Sequence, residues 1–237
     1  MKINNYIRSG LLYVLLGFSA LPCGGSQDEI FYGSGPKDKK EVCLTFDDGP
    51  GGSTEKILET LKKYNVRATF FMEGSQIQIR PKIAREVLES GQEIGSHTYS
   101  HPNFWTYIKD DKKQVLIKEL DSSEKTMGKV LNLKPSLLRM PYGFVRPWVR
   151  EVAKERNYKI ISWTFGCDWK KLSREELVAR YMKNLAPGAI FLLHDGGKKI
   201  RMTVEALPGI IEAIQKRGYK IVTVSEMFGF QRIDDKQ

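Results

Sequence analysis

Histidine and cysteine are scarce in this chain, with three of each among 237 residues. Three cysteines are too few for a disulfide scaffold, and a chain of this length buries enough surface to stand without one. Long hydrophobic runs are also missing. The one candidate, residues 11–21, is roughly eleven residues long, against the ~20 that a membrane-spanning helix needs. There is no internal repeat, and no Gly-rich dinucleotide fingerprint follows a strand, since Gly33-x-Gly35 lies ahead of the first one. Basic residues outnumber acidic ones, 38 to 28, for a net charge of +10. The lysines are interleaved with acids, as in Lys109-Asp110-Asp111-Lys112-Lys113. With no basic helix, aromatic RNA platform or zinc-finger spacing, nucleic acid is excluded as the expected partner. A cationic surface suits an anionic polymer, a cell wall or a lipid headgroup layer. A hydrophobic content of 41% with 28% charged residues is that of an ordinary globular domain.

What is present begins with a short basic region, Lys2 and Arg8, followed by the apolar stretch 11–21. This is the pattern of a secretory signal. The run Ser19-Ala20-Leu21-Pro22-Cys23-Gly24-Gly25-Ser26 resembles a bacterial lipoprotein signal with Cys23 as the lipidated residue, although Pro22 stands where such signals carry a small residue. The expected organisation is a signal peptide over 1–22, a spacer over 23–40, one domain over 41–230 and a polar tail over 231–237. The protein is expected in the cell envelope, touching membrane only through a lipid anchor at Cys23, with a monomer favoured. Cys43 and Cys167 are expected as buried thiols, with a disulfide between them as the alternative.

From residue 41 the pattern alternates strand and helix. Strands are predicted at 41–46, 68–71, 93–96, 136–139, 159–164, 189–193 and 219–224. Helices are predicted from Ser53, as cap, to 64, and over 81–90, 112–130, 148–156 and 173–184, with another ending near 216. Repeated strand–helix units predict a parallel sheet, and about seven of them in 190 residues predict a deformed, TIM-like (β/α)7–8 barrel in a single domain. In such a barrel the strand ends form the rim that carries chemistry.

All three histidines follow predicted strands. The first strand runs into Thr45-Phe46-Asp47-Asp48-Gly49-Pro50, where two adjacent carboxylates call for a cation or an arginine nearby. His97-x-x-x-His101 has the spacing that puts two imidazoles on one face of a helical turn, able to clamp one metal. Arg139-x-Pro141-Tyr142-Gly143, Asp168-Trp169 and Leu192-Leu193-His194-Asp195 end three further strands. The loop over 103–111 carries Phe104, Trp105 and Tyr107, which either stack sugar rings or pack onto the barrel.

These five motifs, in this order, closely resemble those of the polysaccharide deacetylases, the NodB-homology domain of carbohydrate esterase family 4. The resemblance covers about residues 41–228. It implies a deformed (β/α) barrel, a divalent metal (zinc or another first-row ion), and hydrolysis of acetyl groups on a carbohydrate polymer. Carried over residue by residue, it implies Asp48, His97 and His101 as metal ligands and Asp47 as general base, with Arg139 orienting that base. It implies the Tyr142 N–H as an oxyanion donor and His194 as general acid, supported by Asp168. Tyr142, Trp169 and Leu192 would wall the acetyl pocket. One departure stands out, because the family often carries an Asp shortly before Asp168-Trp169, where this chain has Thr164-Phe165-Gly166-Cys167. The expected substrate is an acetylated envelope polysaccharide, peptidoglycan or chitin-like. The alternatives are acetylxylan or another acyl bond on the same fold, and a non-catalytic wall-binding lipoprotein.

Overall fold

The computed structural model describes residues 30–197 and 200–231. The signal peptide, Cys23 and most of the polar tail lie outside the described residues. The elements in chain order are β1 (Phe31–Tyr32), β2 (Glu41–Gly49), α1 (Thr54–Lys63), β3 (Thr69–Met72), α2 (Gly74–Ile79), α3 (Pro81–Glu89) and β4 (Glu93–Ser96). There follow α4 (Lys112–Leu131), β5 (Leu137–Leu138), α5 (Pro147–Glu155), β6 (Lys159–Ile161) and β7 (Phe165–Gly166). The chain then forms α6 (Arg174–Lys183), β8 (Ala189–His194), α7 (Arg201–Lys216), β9 (Lys220–Ile221) and α8 (Val224–Phe228). Among the described residues the strands form one sheet in the order β1-β6-β5-β4-β3-β2-β8-β7, with β9 also paired to β2. Every pairing is parallel.

The curvature follows from connectivity. Strands β6 and β7 lie six strand spacings apart in the sheet order. In a flat sheet that is about 29 Å, at about 4.8 Å per spacing. Yet Ile161 and Phe165 are joined by three residues, which reach no more than about 14 Å. The sheet must therefore curl until its two edges approach. Residues of the link bond to both edges, Ser162 N–H to the Tyr32 carbonyl at 2.8 Å and Thr164 N–H to the Ile190 carbonyl at 2.9 Å. The expected barrel is present in deformed form. Of the strand expected over 159–164 only Lys159–Ile161 forms, as β6, and the next short strand, β7, begins at Phe165 on the far side of the sheet.

Strand alternation sorts two cores. From β2, Val42, Leu44 and Phe46 point outward to Ile57 and Leu61 of α1 and to Ile210 and Ile211 of α7. Cys43 points inward to Phe71, Leu137, Ile161, Ile190 and Met227. The helices are amphipathic on the matching face, as α4 shows with Leu116, Leu120, Met127 and Leu131 buried. Two of them start in full capping boxes, Ser173 with Glu176 and Thr223 with Glu226. Helix α8 closes the end of the barrel where strands begin, its Val224 and Ser225 N–H groups bonding Thr69 and Glu93.

Other expectations need correction. Part of the 23–40 spacer is β1, which pairs with β6 and covers that edge. Ser53 occupies the cap position of α1 without a capping bond, and the Thr54 hydroxyl accepts the Gly51 N–H in its place. The last expected strand divides into β9 and α8, because Thr223 caps a helix there. Cys43 and Cys167 are both free and buried, so the disulfide alternative is not formed.

Phe46 is fully buried and stacks on Phe70 with ring centroids 4.9 Å apart. Phe46→Ala is expected to cost about 3–5 kcal/mol in unfolding free energy. Chemical denaturation, read as a lower midpoint at unchanged slope, checks this.

Candidate active site

The C-terminal ends of β2, β4 and β8 build the site. Asp47 and His194 are register partners on adjacent strands, and alternation points both into the barrel mouth. By the same alternation Asp48 should face outward. It does not, because the β2–β3 register shifts between Asp47 and Gly49, and Asp48 takes a left-handed backbone with φ 70°. This bulge re-aims one side chain so that two consecutive acids serve one site. Close packing holds the bulge in place. A Cβ on Gly196 would stand 1.8 Å from the Asp48 carbonyl oxygen, and one on Gly49 would stand 2.2 Å from the Asp195 carboxylate.

Arg139 enters from the end of β5 and is fully buried. Its Nη1 donates to Asp47 Oδ1 at 2.8 Å and to Thr45 Oγ1 at 2.6 Å. Its Nε and Nη2 donate to the carbonyls of Ile161 and Ser162, and the guanidinium lies 4.1 Å from the Phe71 ring centroid.

His97 and His101 are brought together, with ring centroids 4.8 Å apart, but not by the expected helical turn. Residues 97–101 form a loop in which Thr98 and His101 both have positive φ, 67° and 57°. Two left-handed residues in five turn the chain tightly enough to bring both rings inward. The His97 Nδ1–H donates to the Arg139 carbonyl at 2.7 Å, which leaves Nε2 aimed at Asp48. Asp48 Oδ1 lies 3.4 Å from both His97 Nε2 and His101 Nε2. The edge of a tetrahedron of nitrogen and oxygen ligands around zinc is about 3.3–3.4 Å. Asp48 Oδ1 is also buried without a hydrogen-bond partner. Burial disfavours charge on His97, yet Asp47 and Asp48 raise its pKa overall. Burial and then His97 lower that of His101. A negative field around an orphaned oxygen, with two imidazole nitrogens turned toward it, fits a divalent cation.

On the other side, His194 is held by Asp168. Nδ1 lies 2.9 Å from Asp168 Oδ1, and the His194 N–H donates to Oδ2 at 2.8 Å. Thr203 of α7 donates to the same Oδ2 at 2.7 Å. Burial opposes a charged His194, but the Asp168 hydrogen bond and charge, with Asp47 and Asp48, outweigh it and lift the imidazole to about 9. Asp48, Asp168, Trp169, His194, Gly196, Gly197 and Ile200 line a cavity of about 250 Å³. Of the three expected pocket walls, Trp169 lines this cavity, 44% exposed and edge-on to His194 at 5.6 Å. Tyr142 stands at the rim, 56% exposed, with φ 55° and its ring 4.7 Å from that of His101. Leu192 is buried in β8 and does not line the cavity.

Several supporting residues carry little sequence signal. Thr203 lies 35 positions from Asp168, and no local pattern links them. Asp195 follows His194 directly, is fully buried and accepts from the Thr54 hydroxyl at 2.5 Å. Burial, with the Asp48 and Asp47 charges, lifts it to about 7 against the pull of that bond. Glu73, at the start of α2, is likewise pushed to about 7 by burial and then by Asp48.

Two imidazoles and a carboxylate converging on one point, beside a second carboxylate and a carboxylate-held imidazole, define a hydrolase at the rim of a (β/α) barrel. The particular family follows from comparison: the chain belongs to the polysaccharide deacetylases, whose family model matches residues 34–161. A peptidoglycan-N-acetylglucosamine deacetylase of Bacillus cereus is 36% identical over 200 residues, 83% of this chain and 92% of that protein. The crystal structure of the Bc1960 peptidoglycan N-acetylglucosamine deacetylase matches with TM-score 0.80 at 33% identity, covering 86% of this chain and 95% of that one. A CE4 family pseudoenzyme from Bacillus anthracis also matches, with TM-score 0.76 at 31% identity, covering 86% of this chain and 70% of that one. The site residues therefore have to be judged one by one.

Two outcomes follow from this geometry. Arg139→Ala leaves the Asp47 carboxylate buried without its partner, at an expected cost of about 3–5 kcal/mol. Thermal and denaturant unfolding measure it. Asp168→Asn removes the charge that sustains protonated His194, so its pKa should fall from about 9 toward or below 6.5. With His194 as the general acid, which works only while protonated, the alkaline limb of kcat/KM would move to lower pH. A pH–rate profile of the two forms checks this.

Proposed function

We propose that the protein removes N-acetyl groups from an N-acetylhexosamine polymer of the cell envelope, peptidoglycan in the first place, by metal-dependent hydrolysis. The observation that carries this reading is the triad of Asp48, His97 and His101, whose ligand atoms lie within 4.8 Å of one another, placed between Asp47 and His194. A pure binding protein has no use for a carboxylate oriented by a buried arginine, nor for an imidazole sustained by its own aspartate.

Asp48, His97 and His101 would hold a zinc-class ion, and neutral imidazoles with one carboxylate suit Zn²⁺ among first-row metals. The chemistry such an ion supplies is polarisation of the acetyl carbonyl and a lowered pKa of water. Asp47, oriented by Arg139, accepts the proton of the attacking water. The Tyr142 N–H donates to the oxygen that gains charge as the carbonyl carbon becomes tetrahedral. His194 donates a proton to the departing sugar nitrogen, which leaves poorly as an anion. Asp168 keeps that imidazole oriented and charged, and the transfer contributes roughly 10²–10⁴-fold in rate. Trp169 supplies an apolar wall of the cavity beside His194. The basic segment, short apolar stretch and Cys23 support export and lipid anchoring as the route to that substrate.

His101→Ala should lower metal content, by elemental analysis, and reduce deacetylation together by more than about 100-fold. Mass spectrometry of acetate loss from purified peptidoglycan, chitooligosaccharides and acetylxylan tests the substrate. Loss from acetylxylan alone would overturn the reading, and full metal occupancy in His101→Ala would overturn the ligand set.

A further inference from the structure

The aromatic loop between β4 and α4 is not uniform. Phe104 is fully buried, with its ring 5.7 Å from Phe144 and 5.8 Å from Trp148. Tyr107 is half-buried and donates its hydroxyl to Asp111. Trp105 is different, because 51% of it is exposed.

This indole is open but not loose. Its backbone N–H donates to Asn103 Oδ1 at 3.0 Å, and its Nε1–H to the Tyr142 carbonyl at 3.2 Å. Phe144 meets it edge-on at 5.0 Å, and the Arg146 guanidinium lies 4.6 Å from its ring. A large apolar ring fixed on several sides, with half its surface left in water, gains little for the fold from the exposed half. A rigid aromatic of this kind loses little conformational entropy when it binds, which suits it to recognition.

Its position defines what it meets. Tyr142, whose carbonyl it holds, stacks edge-on against His101. Trp105 is thus one residue removed from the metal-ligand triad, on the side of β4. Trp169 is the other open indole of the rim, beside His194 at the end of β8. In the sheet order β4 and β8 lie on either side of β2, which carries Asp47 and Asp48. The two open indoles thus belong to opposite sides of the strand that carries Asp47 and Asp48.

We propose that Trp105 is a stacking platform for a neighbouring pyranose ring of the substrate chain, making the enzyme selective for oligomers over single sugars. The inference rests on the deacetylase reading above. A pyranose offers an apolar C–H face and a polar rim of hydroxyls and acetamides. The face packs on the open indole while the rim stays hydrated.

The test is kcat/KM on N-acetylglucosamine oligomers from the dimer to the hexamer, and on a small phenyl acetate ester, for the full-length protein and for Trp105→Ala and Trp105→Phe. Oligomer binding is measured alongside by calorimetry. The expected result is a loss in Trp105→Ala that grows with chain length, slight on the ester and about 10–100-fold on the hexamer. Trp105→Phe should recover most of it, with weaker hexamer binding following the same order. Equal loss on the ester and on every oligomer would mean that Trp105 only supports Tyr142, and would overturn the platform. Undiminished hexamer turnover and binding would overturn it as well. If the unaltered protein binds oligomers through Trp105 but releases no acetate, the deacetylase reading fails and the platform stands. If it binds none, the platform fails, and acetate release from peptidoglycan still decides the deacetylase reading.

Discussion

The site depends on one buried charge. Arg139 lies inside the barrel, and its guanidinium touches β2 through Thr45 and Asp47 and the β6 end through Ile161 and Ser162. Its own carbonyl accepts from His97 Nδ1. One residue therefore aims the Asp47 carboxylate and selects the tautomer of a candidate metal ligand. A fully buried cation is tolerable only where its donors are met, and here carbonyls, a hydroxyl, a carboxylate and an aromatic face meet them. The Thr45 hydroxyl that helps to hold it is anchored in turn on the Phe191 carbonyl of β8. The charge thus cross-links the strands on both sides of the mouth.

Around this anchor the barrel grades from dry to wet. Cys43, Phe71, Leu137 and Ile190 fill its lower interior, and α8 closes the end remote from the site. Above them come Thr45 and Arg139, and then the ring of Asp47, Asp48, His97 and His194. Supports reach this ring from the outer layer. Thr203 on α7 holds Asp168, Thr54 on α1 holds Asp195, and Asp195 packs against Gly49 beneath the Asp47–Asp48 turn. The helices therefore do more than cover the sheet, since their first turns fix the carboxylates that set charge and orientation at the mouth. The left-handed residues Asp48, Thr98, His101 and Tyr142 all sit on this rim. Such backbone is held only where its surroundings over-determine it, which is what the interlocked 48–51 and 194–197 turns do.

Much of this was legible in one dimension. Alternating strand and helix patterns determined the barrel class, because periodicities of 2 and 3.6 are local. The motifs determined which residues meet, because each is a polar cluster just after a strand and parallel strands bring such clusters to one rim. What only the tertiary structure decided was whatever depends on long-range partners. That Asp47 and Asp48 face the same way rests on a bulge against β3. His97 and His101 converge through left-handed backbone, where spacing alone implied a helical turn. The break after Ile161, which sends β6 and β7 to opposite sides of the sheet, depends on closure of the whole sheet. Thr203 and Asp195 became part of the site through contacts with no sequence periodicity. In the aromatic loop, composition left stacking and packing equal. Burial of Phe104 and exposure of Trp105 are properties of the surface that Phe144, Trp148 and Arg146 make around them. A sequence carries its local periods and its reactive groups, but side-chain direction beyond a strand end is set by what the rest of the chain packs against it.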